Sequence, residues 1–312
     1  MYVLGFDIGG TKCAVITASV EGDSITIHKK EAIPTNLGIS AYDMLDKLIS
    51  IADGMLDCKP QRIGISCGGP LDSERGIILS PPNLPGWDEV RITEYLSHRY
   101  GCPAKLQNDA NACAVAEWKF GAGRGCKNLV FLTFGTGMGA GLILNGTLYD
   151  GANGNAGEVG HVRLADDGPV GYGKRGSFEG FCSGGGISRL AYQMALEAKD
   201  PPLYYKEGMR EDELSAKDVA KAAEAGDATA KEVYTICARK LGEGLSILID
   251  ILNPEAIIIG SIFARNEALF RKEADKIIEK EALRHSACCV RILPAALGES
   301  IGDYAALGVA LL

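Results

Sequence analysis

The stretch Tyr2-Val3-Leu4-Gly5-Phe6-Asp7-Ile8-Gly9-Gly10-Thr11-Lys12-Cys13-Ala14-Val15-Ile16-Thr17-Ala18-Ser19-Val20 consists of two apolar runs joined by a glycine turn carrying an acid, a hydroxyl and a cation. Short apolar runs bounded by glycine read as strands, so Tyr2 to Ile8 and Cys13 to Val20 form a hairpin. Ser24 to Ile33 extends it through the turn Glu21-Gly22-Asp23, giving an antiparallel meander. The same pattern returns at Leu129 to Phe134, followed by Gly135-Thr136-Gly137-Met138-Gly139 and a strand from Gly141 to Leu144. Asp7 and Thr133 are 126 residues apart, and self-similarity at a fixed shift indicates two related domains.

Between and beyond these hairpins, strand and helix patterns alternate. Ala41, Met44, Leu45, Leu48, Ile49, Ala52, Met55 and Leu56 recur at spacings of three and four, which predicts a helix over Ala41 to Leu56. Arg62 to Ser66 reads as a strand, Glu89 to Tyr100 as a helix, Ala104 to Gln107 as a strand, and the run after Asn108-Asp109 as an Ala-rich helix. Later come a long helix over Ala228 to Leu252 stopped by Asn253-Pro254, a buried strand Ala256 to Ile259, a helix Glu267 to Ala282 and a strand Val290 to Leu293. Alternation of this kind is the signature of an α/β fold. Cys67 through Trp87 is rich in Gly and Pro, too irregular for an element and too long for a connector, and is expected to be a binding loop. Asp200 to Glu213, with Pro201-Pro202, is expected to be a surface loop.

Length and composition set bounds. A chain of 312 residues exceeds the roughly 250 at which single cores stop growing, which again favours two domains. At 46% hydrophobic and 23% charged residues it can pack a core, which excludes disordered and fibrous classes. A net charge of −8 argues against a phosphate-binding nucleic-acid surface, and no apolar run approaches a membrane span, so neither nucleic acid nor membrane is an expected partner. The N-terminus lacks a signal peptide's basic start, so a cytoplasmic location is expected. The ten cysteines contain no C-x-x-C pair and are expected to be buried small hydrophobes.

A glycine turn lets backbone N–H groups face an anion, although each turn taken alone is also what an ordinary hairpin contains. Gly135-x-Gly137-x-Gly139 is followed by a strand and not by the helix that a dinucleotide fingerprint needs. Two such turns from related domains, one with Asp7, Thr11 and Lys12, suit a clamp on a nucleoside triphosphate and its magnesium. Asn108-Asp109 precedes a helix, so Asp109 reads either as its N-cap or as a carboxylate that accepts a proton from a substrate alcohol. Glu158, His161 and Glu179 lie in a glycine-rich segment with no helix to solvate, and such groups bind sugar hydroxyls; a lone histidine is also commonly a packing residue.

Asp7-Ile8-Gly9-Gly10-Thr11-Lys12, Asn83 in Pro-Asn-Leu-Pro-Gly-Trp, Asn108-Asp109, Gly135-Thr136-Gly137, Glu158-x-Gly160-His161 and Glu179 resemble, in order and across the whole chain, the motifs of the ROK family of bacterial sugar kinases. The resemblance implies a two-domain actin-like (hexokinase/ribonuclease H-like) ATPase fold with a cleft between domains. The N-terminal domain would span 1–116, completed by a C-terminal helix at 301–312, and the larger domain 117–300. It implies ATP and Mg2+, with Asp109 the catalytic base for the 6-hydroxyl of a hexose, glucose foremost. Gly69, Asn83, Asn108, Glu158, His161 and Glu179 would hold the sugar's other hydroxyls. Asp7, Gly9, Gly10, Thr11, Lys12, Gly135, Thr136 and Gly137 would line the ATP phosphates, with Asp7 facing magnesium through ATP, and Gly260-Ser261 would lie near the adenosine. Apolar helices suit a homodimer.

One segment departs from the family pattern. Where many members carry C-x-C-G-x-x-G-C, this chain reads Gly171-Tyr172-Gly173-Lys174-Arg175-Gly176-Ser177, so the cysteine ligands of a zinc site are absent and His161 cannot hold structural zinc alone. No structural zinc is expected, and hydrogen bonds or subunit contacts should fix the loop instead. Acceptors that share the same hydroxyl-binding residue types are N-acetylhexosamines, fructose and β-glucosides, because pocket shape and not residue type separates them. A non-catalytic sugar-responsive regulator is the alternative of another class; a DNA-binding member would carry a helix-turn-helix ahead of the first strand, and a sensor without turnover would more readily have lost the acid at 109, whereas Asp109 is present.

Overall fold

The computed structural model describes residues 1–22 and 24–312; Asp23, in the turn expected after the second strand, lies outside them. Strands β1 (Tyr2–Ile8), β2 (Lys12–Glu21) and β3 (Ser24–Pro34) form the meander, followed by α1 (Ala41–Met55) and β4 (Arg62–Cys67). A small hairpin, β5 (Leu71–Asp72) and β6 (Ile77–Ile78), precedes α2 (Ile92–Tyr100), β7 (Ala104–Asn108) and α3 (Asp109–Phe120). The first sheet has the order β3-β2-β1-β4-β7. β1 is antiparallel to β2 and parallel to β4, and β4 is parallel to β7.

The second half repeats this plan. β8 (Leu129–Phe134) turns back into β9 (Met138–Leu144) and β10 (Thr147–Tyr149). Then come the short pair β11 (Val170–Gly171) and β12 (Lys174–Arg175), and helices α4 (Phe178–Phe181), α5 (Gly184–Glu197), α6 (Ala216–Glu224) and α7 (Ala228–Leu252). β13 (Ala256–Ile259), α8 (Ser261–Arg265), α9 (Glu267–Glu281), α10 (Arg284–Ala287), β14 (Arg291–Pro294) and α11 (Ile301–Val309) complete the chain. The sheet order β10-β9-β8-β13-β14 has the same topology as the first, with β13 parallel to both β8 and β14. The chain divides into one compact unit of residues 1–127, 141–156 and 296–312 and another of 128–140 and 157–295.

In the first unit the period-two alternation of β1 sends Leu4, Phe6 and Ile8 to one side, where they pack with Val15, Ile63, Ile65 and the α1 stripe Met44, Leu45 and Leu48. Val3, Ala14, Ile16 and Ala18 face the other side, against Ala306, Leu307 and Ala310 of the C-terminal segment. α11 lies unusually close to this face because Gly5 and Gly64 are register partners on β1 and β4. A Cβ at Gly64 would run into the Ala306 carbonyl and lie 2.5 Å from the Ala310 nitrogen. Ala305 and Val309 then reach Ala112 and Ala116 of α3.

Several expectations need correction. The Gly/Pro-rich loop contains the β5–β6 hairpin, and Ile78 and Val90 exchange backbone hydrogen bonds of 3.0 and 3.1 Å. That bridge, with Glu89 at φ +50°, holds the backbone out of helix until Ile92. The strand after the second glycine turn begins at Met138, three residues before the expected start, because the Gly139 nitrogen donates to Thr133 Oγ1 at 2.9 Å as soon as the turn ends. Helices α5 and α6 form where no element is predicted, with Ser183 and Ser215 capping them. Not every cysteine is a core residue: Cys13, Cys67, Cys126, Cys182 and Cys237 are buried, but Cys58, Cys288 and Cys289 are exposed. Among the described residues no helix is long and apolar enough to cross a membrane.

Candidate active site

The first unit gathers its candidate residues by strand register. Ile8 of β1 pairs with Cys67 of β4, and Cys67 pairs with Asn108 of β7, so three parallel strands end side by side. In open α/β sheets that carboxyl edge is where ligands bind. Asp7 lies at the end of β1, Gly69 just past β4, and Asn108 and Asp109 at the junction of β7 and α3. The β1–β2 turn closes with the Gly9 nitrogen donating to the Lys12 carbonyl at 3.1 Å, leaving Thr11 and Lys12 exposed. Gly10 packs directly on the Asn83 loop, where a Cβ would run into the Asn83 carbonyl and lie 2.8 Å from the Asn83 Cβ. The phosphate-type turn and Asn83 are therefore built against each other.

The two readings of Asn108-Asp109 separate in the structure. Asn108 is the N-cap of α3, its side-chain oxygen accepting from the Asn111 nitrogen at 2.7 Å. Asp109 occupies the first helical position, with Oδ1 accepting from the Ala110 nitrogen at 2.9 Å. Asp109 is exposed to solvent, yet the protein packed around its carboxyl removes enough water to hold the pKa above the ordinary 3.8; hydrogen bonds from the local backbone oppose this only in part. Replacing Asn108 by alanine should cost about 1 kcal/mol of stability, the usual effect of losing a cap, read as a lowered melting temperature.

Asp7 is pushed up to about 6, first by burial and next by the Asp303 carboxylate, with Lys12 opposing and Asp109 adding further repulsion. Asp303 is itself 8% exposed and ion-paired with Lys30 at 2.7 Å. Magnesium that arrives with a nucleotide takes one or two carboxylates beside the phosphates, so the half-buried Asp7 carboxylate fits it.

The second unit has an equivalent edge. β8 ends at Phe134 and leads into Gly135, Thr136 and Gly137, while β13 ends at Ile259, and the Gly260 nitrogen donates to the Leu132 carbonyl at 2.9 Å. This register sets Gly260-Ser261 beside the glycine turn, and the Gly184 nitrogen donates to the Gly135 carbonyl at 2.8 Å. A cavity of about 970 Å³ opens there, lined by Thr136, Gly184, Ser188, Lys217, Ser261 and Asn266 among others. Its size suits a nucleoside. Lys217, Lys221 and Arg189, which also line it, had no signal in the sequence, because they come from helices whose ligand role depends on tertiary placement.

Glu179 lies at the start of α4, with Oε2 accepting from the Met138 nitrogen at 3.0 Å. It thereby ties the end of the glycine turn to the start of α4, and Gly160 packs against both Met138 and Glu179. A single 3₁₀ turn, Val159–His161, carries His161, whose nitrogen donates to the Glu158 carbonyl at 3.2 Å. Both side chains are exposed. The segment 171–177 is held by the β11–β12 pairing, by Lys174 Nζ donating to the His161 carbonyl at 2.6 Å, and by the Ser177 side chain capping α4. Cys182 Sγ donates to the Cys237 carbonyl in the core, away from this loop. Among the described residues, no group of three or more His, Cys, Asp or Glu side chains could hold a metal ion.

Comparisons with known proteins agree on one family. The chain is 34% identical over 315 residues to a glucokinase of Halalkalibacterium halodurans, covering 96% of this chain and 92% of that protein. A glucokinase of Thermotoga maritima is 33% identical over 283 residues, covering 89% and 87%. Among solved structures, a ROK family glucokinase from Streptomyces griseus in complex with glucose and AMPPNP is 28% identical with a TM-score of 0.76, covering 100% of this chain and 99% of that one. A ROK hexokinase from Thermus thermophilus is 27% identical with a TM-score of 0.81, covering 100% and 98%. The α/β architecture is accordingly that of the actin-like ATPase fold. With the ROK family model matching residues 3–312, the chain belongs to the ROK family.

Proposed function

We propose that this ATP-dependent sugar kinase transfers the γ-phosphoryl group of ATP to the 6-hydroxyl of a hexose, glucose foremost, with Asp109 as general base. The observation that carries the reading is the state of Asp109: a carboxylate of raised pKa, released from capping duty by Asn108, at the aligned ends of β1, β4 and β7. A base poised above the usual carboxylate range takes a proton more readily near neutral pH. The glucokinases of H. halodurans and T. maritima support glucose as the acceptor.

In the proposed reaction the sugar oxygen bonds to the γ-phosphorus, its proton passes to Asp109, and the bond from phosphorus to the bridging oxygen breaks to release ADP. Such transfer relies on positioning and charge stabilisation more than on covalent chemistry. Asp7 would hold the magnesium of MgATP, whose charge neutralises the phosphates. Gly9, Gly10, Thr11, Lys12, Gly135, Thr136 and Gly137 are the proposed phosphate ligands, and Ser261 borders the cavity proposed for the adenosine. Gly69, Asn83, Asn108, Glu158, His161 and Glu179 are the proposed sugar ligands.

The same reading includes a cytoplasmic location and a homodimer. It also includes no structural zinc. Metal analysis of purified protein should find far less than about one zinc per chain, the content a four-ligand structural site would give, and a stoichiometric tightly bound zinc would contradict this part. The test of the whole is ADP release from MgATP against a panel of hexoses. Glucose is the expected acceptor, and an N-acetylhexosamine, fructose or a β-glucoside standing out instead would keep the kinase reading and change its substrate.

A further inference from the structure

Tyr172 and Gly173 form the two-residue turn between β11 and β12, closed by the pairing of Gly171 with Lys174. Both have positive φ, +42° at Tyr172 and +75° at Gly173, the mirror-image turn that matches strand twist and favours Asn-Gly. A bulky aromatic residue in this region is strained. Packing does not compensate, because Tyr172 is 84% exposed, the most exposed large apolar-bodied side chain of the described residues. Among the described residues its ring neighbour is His161, edge-on at 6.4 Å between centroids and 73° between planes. The hairpin and the histidine's turn are fixed to each other by the bond from Lys174 Nζ to the His161 carbonyl, and by Arg163 Nη1 donating to the Arg175 carbonyl at 2.9 Å.

A strained, solvated phenol held beside a candidate sugar ligand has its use in what it meets outside the fold. We propose that Tyr172 is a specificity-determining residue, an aromatic wall on which the C–H face of the acceptor pyranose rests beside His161. A pyranose with equatorial hydroxyls presents C–H groups on both faces, whereas an axial hydroxyl interrupts the face from which it projects, so a wall on that face favours gluco-configured acceptors. The inference rests on the proposed role of His161 in sugar binding.

Asparagine suits the turn and removes the ring, so Tyr172→Asn tests the wall without endangering the hairpin. Tyr172→Asn should raise the KM for glucose about five-fold, the scale of one aromatic contact, with the KM for ATP and kcat near wild type and a melting temperature equal or higher. Tyr172→Phe should keep the wild-type KM. Glucose-induced thermal stabilisation, read without ATP, should be weakened in the Asn variant and retained in the Phe variant. An Asn variant that matches wild type in both glucose KM and glucose stabilisation overturns the inference, as does a Phe variant as impaired as Asn. A wild-type protein that neither turns over nor is stabilised by any hexose refutes the sugar-kinase reading beneath it instead.

Discussion

Asp109→Asn keeps hexose binding, seen as sugar-induced thermal stabilisation, and lowers kcat by about 10²-fold or more, the usual loss when a general base is removed. The amide preserves the size of the side chain at the first position of α3 and leaves the Asn108 cap untouched, so the helix start survives. Stability should not fall. Burial raises the folded pKa of Asp109, so the fold favours its neutral form; the group's stabilising contribution is present at low pH and is lost as pH rises through the folded pKa. The asparagine variant lacks that ionisation and should melt at the wild-type temperature or above it near neutral pH. Activity has the opposite sign, because only the ionised base accepts a proton. The acid limb of kcat/KM should therefore lie above the ordinary carboxylate pKa of 3.8. An unchanged turnover in Asp109→Asn contradicts the assignment.

Gly64→Ala should destabilise the first unit by about 3 kcal/mol or more, the upper range for overpacking, because the added methyl meets backbone and not a side chain that can swing away. For a chain of 312 residues that corresponds to a fall of about 5 °C in melting temperature. The obstructed groups are the Ala306 carbonyl of α11 and the Ala310 nitrogen that follows it, so the helix must leave the sheet. Since α11 also brings Asp303 to within ion-pair distance of Lys30 and beside Asp7, the surviving fraction should show a raised KM for MgATP. A variant with wild-type melting and kinetics would show that α11 does not lie on Gly5 and Gly64.

These two residues mark what the sequence discloses and what it hides. The β1–β2 turn is readable because its strands are local, apolar and bounded by glycine, and the 126-residue echo at Gly135 follows from the same local signal. The docking of α11 on Gly64 joins residues more than 240 positions apart, and nothing near Gly64 announces a helix above it. At Asn108-Asp109 both residues are good caps, and only the bond from the Asn111 nitrogen to Asn108 separates cap from candidate base. The glycines 184 to 186 read as loop, yet Ser183 caps them into α5, and α6, a short Ala-rich helix, gave too brief a period to detect. Tyr172 was visible only as part of a segment without zinc ligands; its positive φ is a property of the hairpin register.

The measurement that bears most directly on the account is ADP release from purified protein with MgATP, with and without each of glucose, mannose, fructose, N-acetylglucosamine, N-acetylmannosamine and a β-glucoside. The account predicts sugar-dependent ADP release, largest with glucose. Release no greater with any sugar than in the sugar-free control would contradict it.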